Sequence, residues 1–218
     1  MLSLLTIREL LLAALAPLRC AACDEPVALH RAFCPPCAVT LVAAPPAPFC
    51  FAAFEYGASI ARTIARFKYE GRPDLARVLA AMALRTRPAI EAFAPEVVVP
   101  VPLHPTRLAE RGFNQAVLLA RPIAKSLDVP LSPRALARTV ATPRQAVLTR
   151  AARLENVASA FRVLDPQAVR GRRVLLVDDV RTTGATIAAC AAPLVAAGAV
   201  AVRGCVVASA EIPGAYRE

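Results

Sequence analysis

Residues 173–187, RVLLVDDVRTTGATI, constrain this chain more than any other stretch. Residues 174–177 form an unbroken apolar run, the pattern of a strand buried on both faces of a sheet. The run stops at Asp178 and Asp179 and turns at once into a loop rich in threonine and glycine. That loop opens a helical segment, GATIAACAAPLVAAGA, closed by Gly198, and a second buried run, VAVRGCVVASA, follows it. Strand, helix and strand in this order predict an α/β fold, a parallel sheet flanked by helices.

Ligands of such sheets bind beyond the carboxyl ends of the strands, often facing a helix N-terminus. Asp178 and Asp179 fall at that end, where the strand is expected to stop. Gly184 lets the backbone approach a bound group, while Thr182, Thr183 and Thr186 add hydroxyl donors. The free amides and dipole of the following helix favour an anion, so the loop suits a phosphate. Two carboxylates beside it suit sugar hydroxyls or a magnesium ion. A ribose 5-phosphate satisfies both halves. A P-loop ATPase also ends a strand in acids, but the GxxxxGK[ST] string is missing from the sequence.

Two CxxC pairs, Cys20/Cys23 and Cys34/Cys37, stand near the N-terminus. Four thiolates at this spacing predict a closed, structural Zn2+ site without an open position for water. Two disulfides or a thioredoxin-like pair are the alternatives, disfavoured by a reducing compartment and by the lack of a βαβ context. His30, between the pairs, either replaces one thiolate or stands exposed. Cys50 has no CxxC partner, and Cys190 and Cys205 sit in apolar runs that read as core.

The proline-rich residues 44–49 mark a boundary, giving a helix and zinc ribbon over 1–48 and a main domain over 49–218. Ile60, Ile64 and Phe67 recur at helical spacing up to Gly71. RPDLARVLAAMALRT predicts a second helix opened by Pro73 and Asp74. PEVVVPVPLHP predicts a strand running into a stiff loop, and a helix follows from about Asn114 to Asp128, kinked at Pro122.

With 26 Lys+Arg against 16 Asp+Glu the formal charge is +10, which favours an anionic partner such as phosphate, nucleotide or nucleic acid. Lys68 and Lys125 are the only lysines, and abundant Ala and Pro fit a GC-rich coding bias. That bias explains Arg in place of Lys but leaves the shortage of acids unexplained. The first twenty residues suggest a short amphipathic helix rather than a signal peptide, because Arg8 and Glu9 interrupt the apolar run. No other stretch has the length and freedom from charge of a membrane span, so a cytoplasmic protein without a membrane partner is expected.

VLLVDDVRTTGAT resembles the phosphoribosyl-pyrophosphate (PRPP) signature of type I phosphoribosyltransferases. The four-cysteine ribbon, FKYEGRPDLA, VPVPLHPTRLAERGFNQA and ARTVATPRQAVLTRAARLENVASAF accompany it in the order of the ComF family, the competence-protein-F-like relatives of those enzymes. The resemblance covers nearly the whole chain and implies a type I phosphoribosyltransferase fold behind the ribbon. It implies that Asp178 and Asp179 contact the ribose hydroxyls, and that Thr182, Thr183, Gly184, Ala185 and Thr186 hold the 5-phosphate. VPVPLHP resembles the pyrophosphate loop. Arg107 and Arg111, just beyond it, either neutralise pyrophosphate or belong to a solvated helix face. Asn114 is read as a helix N-cap.

Arg138, Arg144 and Gln145 fall in the segment that resembles the family's hood loop, which closes over PRPP. Lys68 and Tyr69 match a family position, although a lysine laid along the sheet edge reads equally well. Two departures stand out: many relatives carry a further CxxC pair where this chain has only Cys50, and Pro193 interrupts the helix after the phosphate loop. The resemblance implies pentosyl transfer from PRPP, with Mg2+, to a nitrogen acceptor that the sequence does not identify. The alternative is a catalytically silent competence factor that binds single-stranded DNA, or one that docks onto a DNA-uptake helicase.

Overall fold

The computed structural model describes residues 18–139 and 160–210. After a one-turn helix in the ribbon, α1 (Pro35–Ala38), come β1 (Cys50–Glu55), α2 (Ala58–Tyr69), α3 (Ala76–Ala83), α4 (Arg87–Phe93) and β2 (Val97–Pro100). Then follow α5 (Pro105–Arg111), α6 (Gln115–Leu127), β3 (Leu136–Arg138), β4 (Phe161–Val163), β5 (Arg173–Arg181), α7 (Ala185–Ala196) and β6 (Ala201–Ser209). The expected parallel sheet flanked by helices is present: four strands in the order β1-β6-β5-β2, every pair parallel. β3 and β4 make a separate antiparallel ribbon.

Alternation along the strands divides the core. Leu175 and Val177 of β5 face one side, with Ile60, Ile64 and Phe67 of α2, Leu79 of α3 and Leu119 and Ile123 of α6. Val174 and Leu176 face the other, with Leu136, Phe161 and Ile187, Cys190 and Leu194 of α7. Cys190 and Cys205 are fully buried, as their apolar runs predict.

Three local features differ from the sequence-based expectation. The segment from Pro73 to Phe93 is broken: 3-10 turns at Pro73–Leu75 and Leu84–Thr86 flank α3, and α4 starts afresh at Arg87. Pro88 explains the restart, because a proline fits the first turn of a helix, where its missing N–H is not needed. β1 is a strand where only a boundary is expected, and the three-residue strands β3 and β4 are too short to carry a periodic signal. α6 and α7 continue through Pro122 and Pro193.

The crossovers locate the site. From β2 the chain passes through α6 to Leu131, which bridges Val98 on the side away from β5. From β5 it passes through α7 to β6, in the opposite direction across the sheet. The two connections therefore diverge from the gap between β2 and β5, with α6 and α7 on opposite faces. That gap is the topological switch point, where open α/β sheets bind ligands.

Candidate functional site

β5 runs past the acid pair instead of ending at it. Asp178 is in register with Val206 and Arg181 with Ser209, because β6 continues alongside to Ser209. On the other side β2 ends at Pro100, opposite Val177, and the last bond is Val101 N–H to Val177 O, 2.9 Å. Pro102 has no N–H to extend this ladder. Asp178 and Asp179 thus overhang the end of β2, within the strand but unpaired on its β2 edge.

Successive strand residues face opposite sides, and so do the two acids. Asp179 is buried, 5% exposed, and its Oδ1 lies 2.6 Å from Nζ of Lys68 at the end of α2. The lysine therefore forms a specific ion pair with the acid. Asp178 Oδ1 accepts the N–H of Asp179 at 2.9 Å. Burial, and then the charge of Asp179, push the Asp178 carboxyl up to about 7 against the pull of Lys68 and Arg138.

Arg138, on β3, approaches from the far face. Its guanidinium lies 5.4 Å from the Phe161 ring centroid, and burial, then Arg107, hold its pKa below the usual value while Cys190 and Asp178 oppose this. The fold thus gathers Arg107, Arg138 and Asp178 within electrostatic reach of one another. Arg144 and Gln145 lie outside the described residues.

After β5 comes a three-residue loop. Thr182 and Thr183 are exposed, Gly184 takes φ +78° as the N-cap of α7, and Thr183 Oγ1 accepts the N–H of Ala185 at 3.3 Å. Only a residue without a Cβ adopts that φ freely. Thr186 is half-buried in the first turn. Arg181 clamps the loop's base, donating through Nε and Nη2 to Ser209 Oγ at 3.0 and 2.8 Å. Sequence reasoning missed Arg181, although its place between the acids and the threonines was a signal.

Across the gap, residues 101–104 lead into α5. Asn114 caps α6 as expected, accepting from Ala116 N–H at 2.9 Å, and also donates to Val101 O at 3.1 Å, which ties the loop to the helix. Arg111 stacks over Tyr69, 5.1 Å from the ring centroid, and Arg107 is half-buried on the same helix. Gln115 was not foreseen: it is 3% exposed, and its Nε2 has no hydrogen-bond partner in the structure.

Cys20, Cys23, Cys34 and Cys37 bring their Sγ atoms within 4.8 Å of one another, the only such group of potential metal ligands among the described residues. Tetrahedral Zn–S bonds of about 2.3 Å place sulfurs roughly 3.8 Å apart, so the cluster fits a zinc ion with small adjustment. Burial disfavours the Cys20 thiolate, but hydrogen bonds from the Cys34, Cys23 and Ala22 backbone hold it down at about 6. His30 is exposed and outside the group. Arg66 of α2 anchors the first CxxC turn, donating to the carbonyls of Cys20 and Ala21 at 3.2 and 3.1 Å.

No protein-family model matches the chain. The DNA utilization protein YhgH of Escherichia coli K12 is 32% identical over 199 residues, covering 84% of this chain and 87% of its own. The chain belongs to the ComF family. Competence protein F of Haemophilus influenzae is 35% identical over 57% of this chain and 56% of its own length. Competence protein ComFC of Bacillus subtilis is 29% identical over 62% and 52%. Among solved structures, a glutamine PRPP amidotransferase from B. subtilis is similar at TM-score 0.44 and 22% identity, over 65% of this ComF chain and 30% of that enzyme. An adenine phosphoribosyltransferase from Rhodothermus marinus is similar at TM-score 0.41 and 20% identity, over 64% and 70%. No helix among the described residues of this ComF-family chain is long and apolar enough to cross a membrane.

Proposed function

We propose that the chain binds PRPP together with Mg2+ at the switch point and acts in the cytoplasm as a pentosyl transferase. One observation carries the reading: the acid pair overhangs β2, and the Gly184-capped start of α7 follows it after the four residues Val180 to Thr183. Asp178 and Asp179 would accept the ribose hydroxyls. Thr182, Thr183, Thr186 and the amides of Gly184 and Ala185 would hold the 5-phosphate. Arg107 and Arg111, with the backbone of residues 101–104, would face pyrophosphate, and Arg138 with the hood residues Arg144 and Gln145 would close the site. Asp178 and Asp179 are the carboxylates that would stand beside Mg2+, which when bound would supply positive charge against the departing pyrophosphate.

In this reaction the C1–O bond breaks with its electron pair leaving on pyrophosphate, and a nitrogen lone pair of the acceptor forms the new C1–N bond. The protein's part is orientation and charge placement, so no side-chain nucleophile is needed. Zinc bound by Cys20, Cys23, Cys34 and Cys37 would hold the ribbon of the N-terminal unit, the helix and zinc ribbon proposed over 1–48, without entering the chemistry. Calorimetric titration of PRPP plus Mg2+ into wild type and the Asp178→Asn/Asp179→Asn variant, with zinc content measured on both, tests this. Saturable binding by wild type alone supports the site; no binding by a folded, zinc-loaded wild type ends the proposal.

A second reading concerns DNA. Its support is the names of the relatives, a DNA utilization protein and competence proteins, together with the +10 charge. On this reading the chain contacts single-stranded DNA, or a helicase that handles it, and PRPP acts as a regulatory ligand.

A further inference from the structure

β1 is the outermost of the four strands, β6 separates it from the acid pair on β5, and residues 42–44 lie along its other edge, with Glu55 N–H to Val42 O at 2.9 Å and Ala44 N–H to Ala53 O at 3.2 Å. Aromatic and cationic side chains follow it from end to end. Phe49, just before the strand, is 71% exposed, and Tyr56, just after it, 42%. Between them the Arg203 guanidinium lies 5.6 Å from the Phe51 centroid and 5.4 Å from that of Phe93. Arg85 lies 5.4 Å from the Phe54 centroid. Phe51 and Phe54 pack into the same core cluster and, three residues apart along the strand, stand roughly 10 Å from each other.

Arg85 and Arg203 differ from the arginines around them. Arg66, Arg72, Arg87 and Arg173 each engage a carboxylate. Arg85 and Arg203 are exposed and, among the described residues, meet phenyl rings only. A guanidinium resting on a ring is held in place while its N–H edge stays open for phosphate oxygens. Exposed aromatic rings supply faces on which unstacked bases lie. Cations set for phosphates between rings open to bases are the components of sequence-tolerant single-strand binding. A duplex keeps its bases stacked and could use the charges but not the rings.

We infer that the surface over β1, through Arg85, Arg203, Phe49 and Tyr56, is a track for single-stranded nucleic acid. The inference rests on the DNA reading above and gives it a surface separate from the acid pair.

The test is fluorescence anisotropy of a labelled oligothymidylate bound to the full chain over a salt series. Arg85→Gln/Arg203→Gln should lower the magnitude of the log–log salt slope by about 1.4, roughly 0.7 for each single-strand phosphate that is no longer neutralised. Phe49→Ala should weaken binding and leave the slope unchanged. If wild type binds PRPP but no oligonucleotide at low salt, the DNA reading itself fails. If wild type binds and Arg85→Gln/Arg203→Gln keeps the full slope, DNA binds elsewhere and only the β1 track is overturned. Photo-crosslinking of a halogenated oligonucleotide to the unmutated chain is independent of any variant's folding. Crosslinks to the peptide carrying Phe49 and Tyr56 support the track, and crosslinks confined to other peptides overturn it.

Discussion

Arg66 and Asp24 meet across the seam between the cysteine ribbon and α2, with Nη2 2.8 Å from Oδ1. The same guanidinium holds the carbonyls of Cys20 and Ala21, and Arg66 is itself 9% exposed. Arg66→Ala should therefore destabilise the chain chiefly through buried carbonyls left without donors, on the order of 1–3 kcal/mol each. Denaturant unfolding with parallel zinc determination checks this. Loss of stability should appear together with weaker zinc retention, and Arg66→Lys should fall between the variant and wild type.

The Lys68–Asp179 pair gives a second prediction. Removing one partner of a buried ion pair strands the other charge and typically costs about 3–5 kcal/mol, whereas removing both costs much less. Lys68→Met should be less stable at neutral pH than Lys68→Met/Asp179→Asn. A double-mutant cycle by chemical denaturation, with Asp179→Asn as its other single variant, measures the coupling; a coupling of zero would mean that the pair contributes nothing in solution.

A third concerns pH. The Asp178 carboxyl is raised to about 7 in the fold, chiefly by burial, against roughly 4 for an unfolded carboxyl. Between those values the folded state holds a proton that the unfolded state has released. Stability from this group therefore falls as pH rises from about 4 to about 7 and is level above that. Asp178→Asn should flatten this segment of the profile, giving a larger gain in Tm at pH 8 than at pH 4.

Metal removal supplies a fourth. Chelation at neutral pH should lower Tm and loosen the ribbon, since the four cysteines would lose the ion that ties the two CxxC turns together and take up protons. Cys34→Ser should lose the metal, and His30→Ala should keep it in full, as read by mass spectrometry under native conditions. Equal loss from both variants would place His30 among the ligands.

What the sequence discloses here depends on the range of each signal. The apolar runs of β5 and β6 and the CxxC spacing are local patterns, and both appear in the structure where the residues place them. β1 was hidden because a short apolar run beside prolines has no period to read. The pairing of Lys68 with Asp179 joins residues that only the tertiary fold brings together, so the sequence left the lysine's role open between two readings. Arg181 and Gln115 were overlooked for the same reason: the clamp on Ser209 depends on β5 and β6 being neighbours, and the burial of Gln115 depends on how α6 seats on the sheet. The acids mark the carboxyl end of β5, while the true end of that strand, Arg181, is set by the length of its neighbour β6.

α2 carries Arg66 and Lys68 in its last turn, one gripping the ribbon and the other the acid pair. Two residues rise only about 3 Å along a helix, too short a distance for either grip to move independently. The helix is a lever with two loads. A shift of the cysteine turn would be passed to the Asp179 carboxylate through one helical turn. The ribbon and the carboxyl end of the sheet would then behave as one mechanical unit, coupled through the last turn of α2.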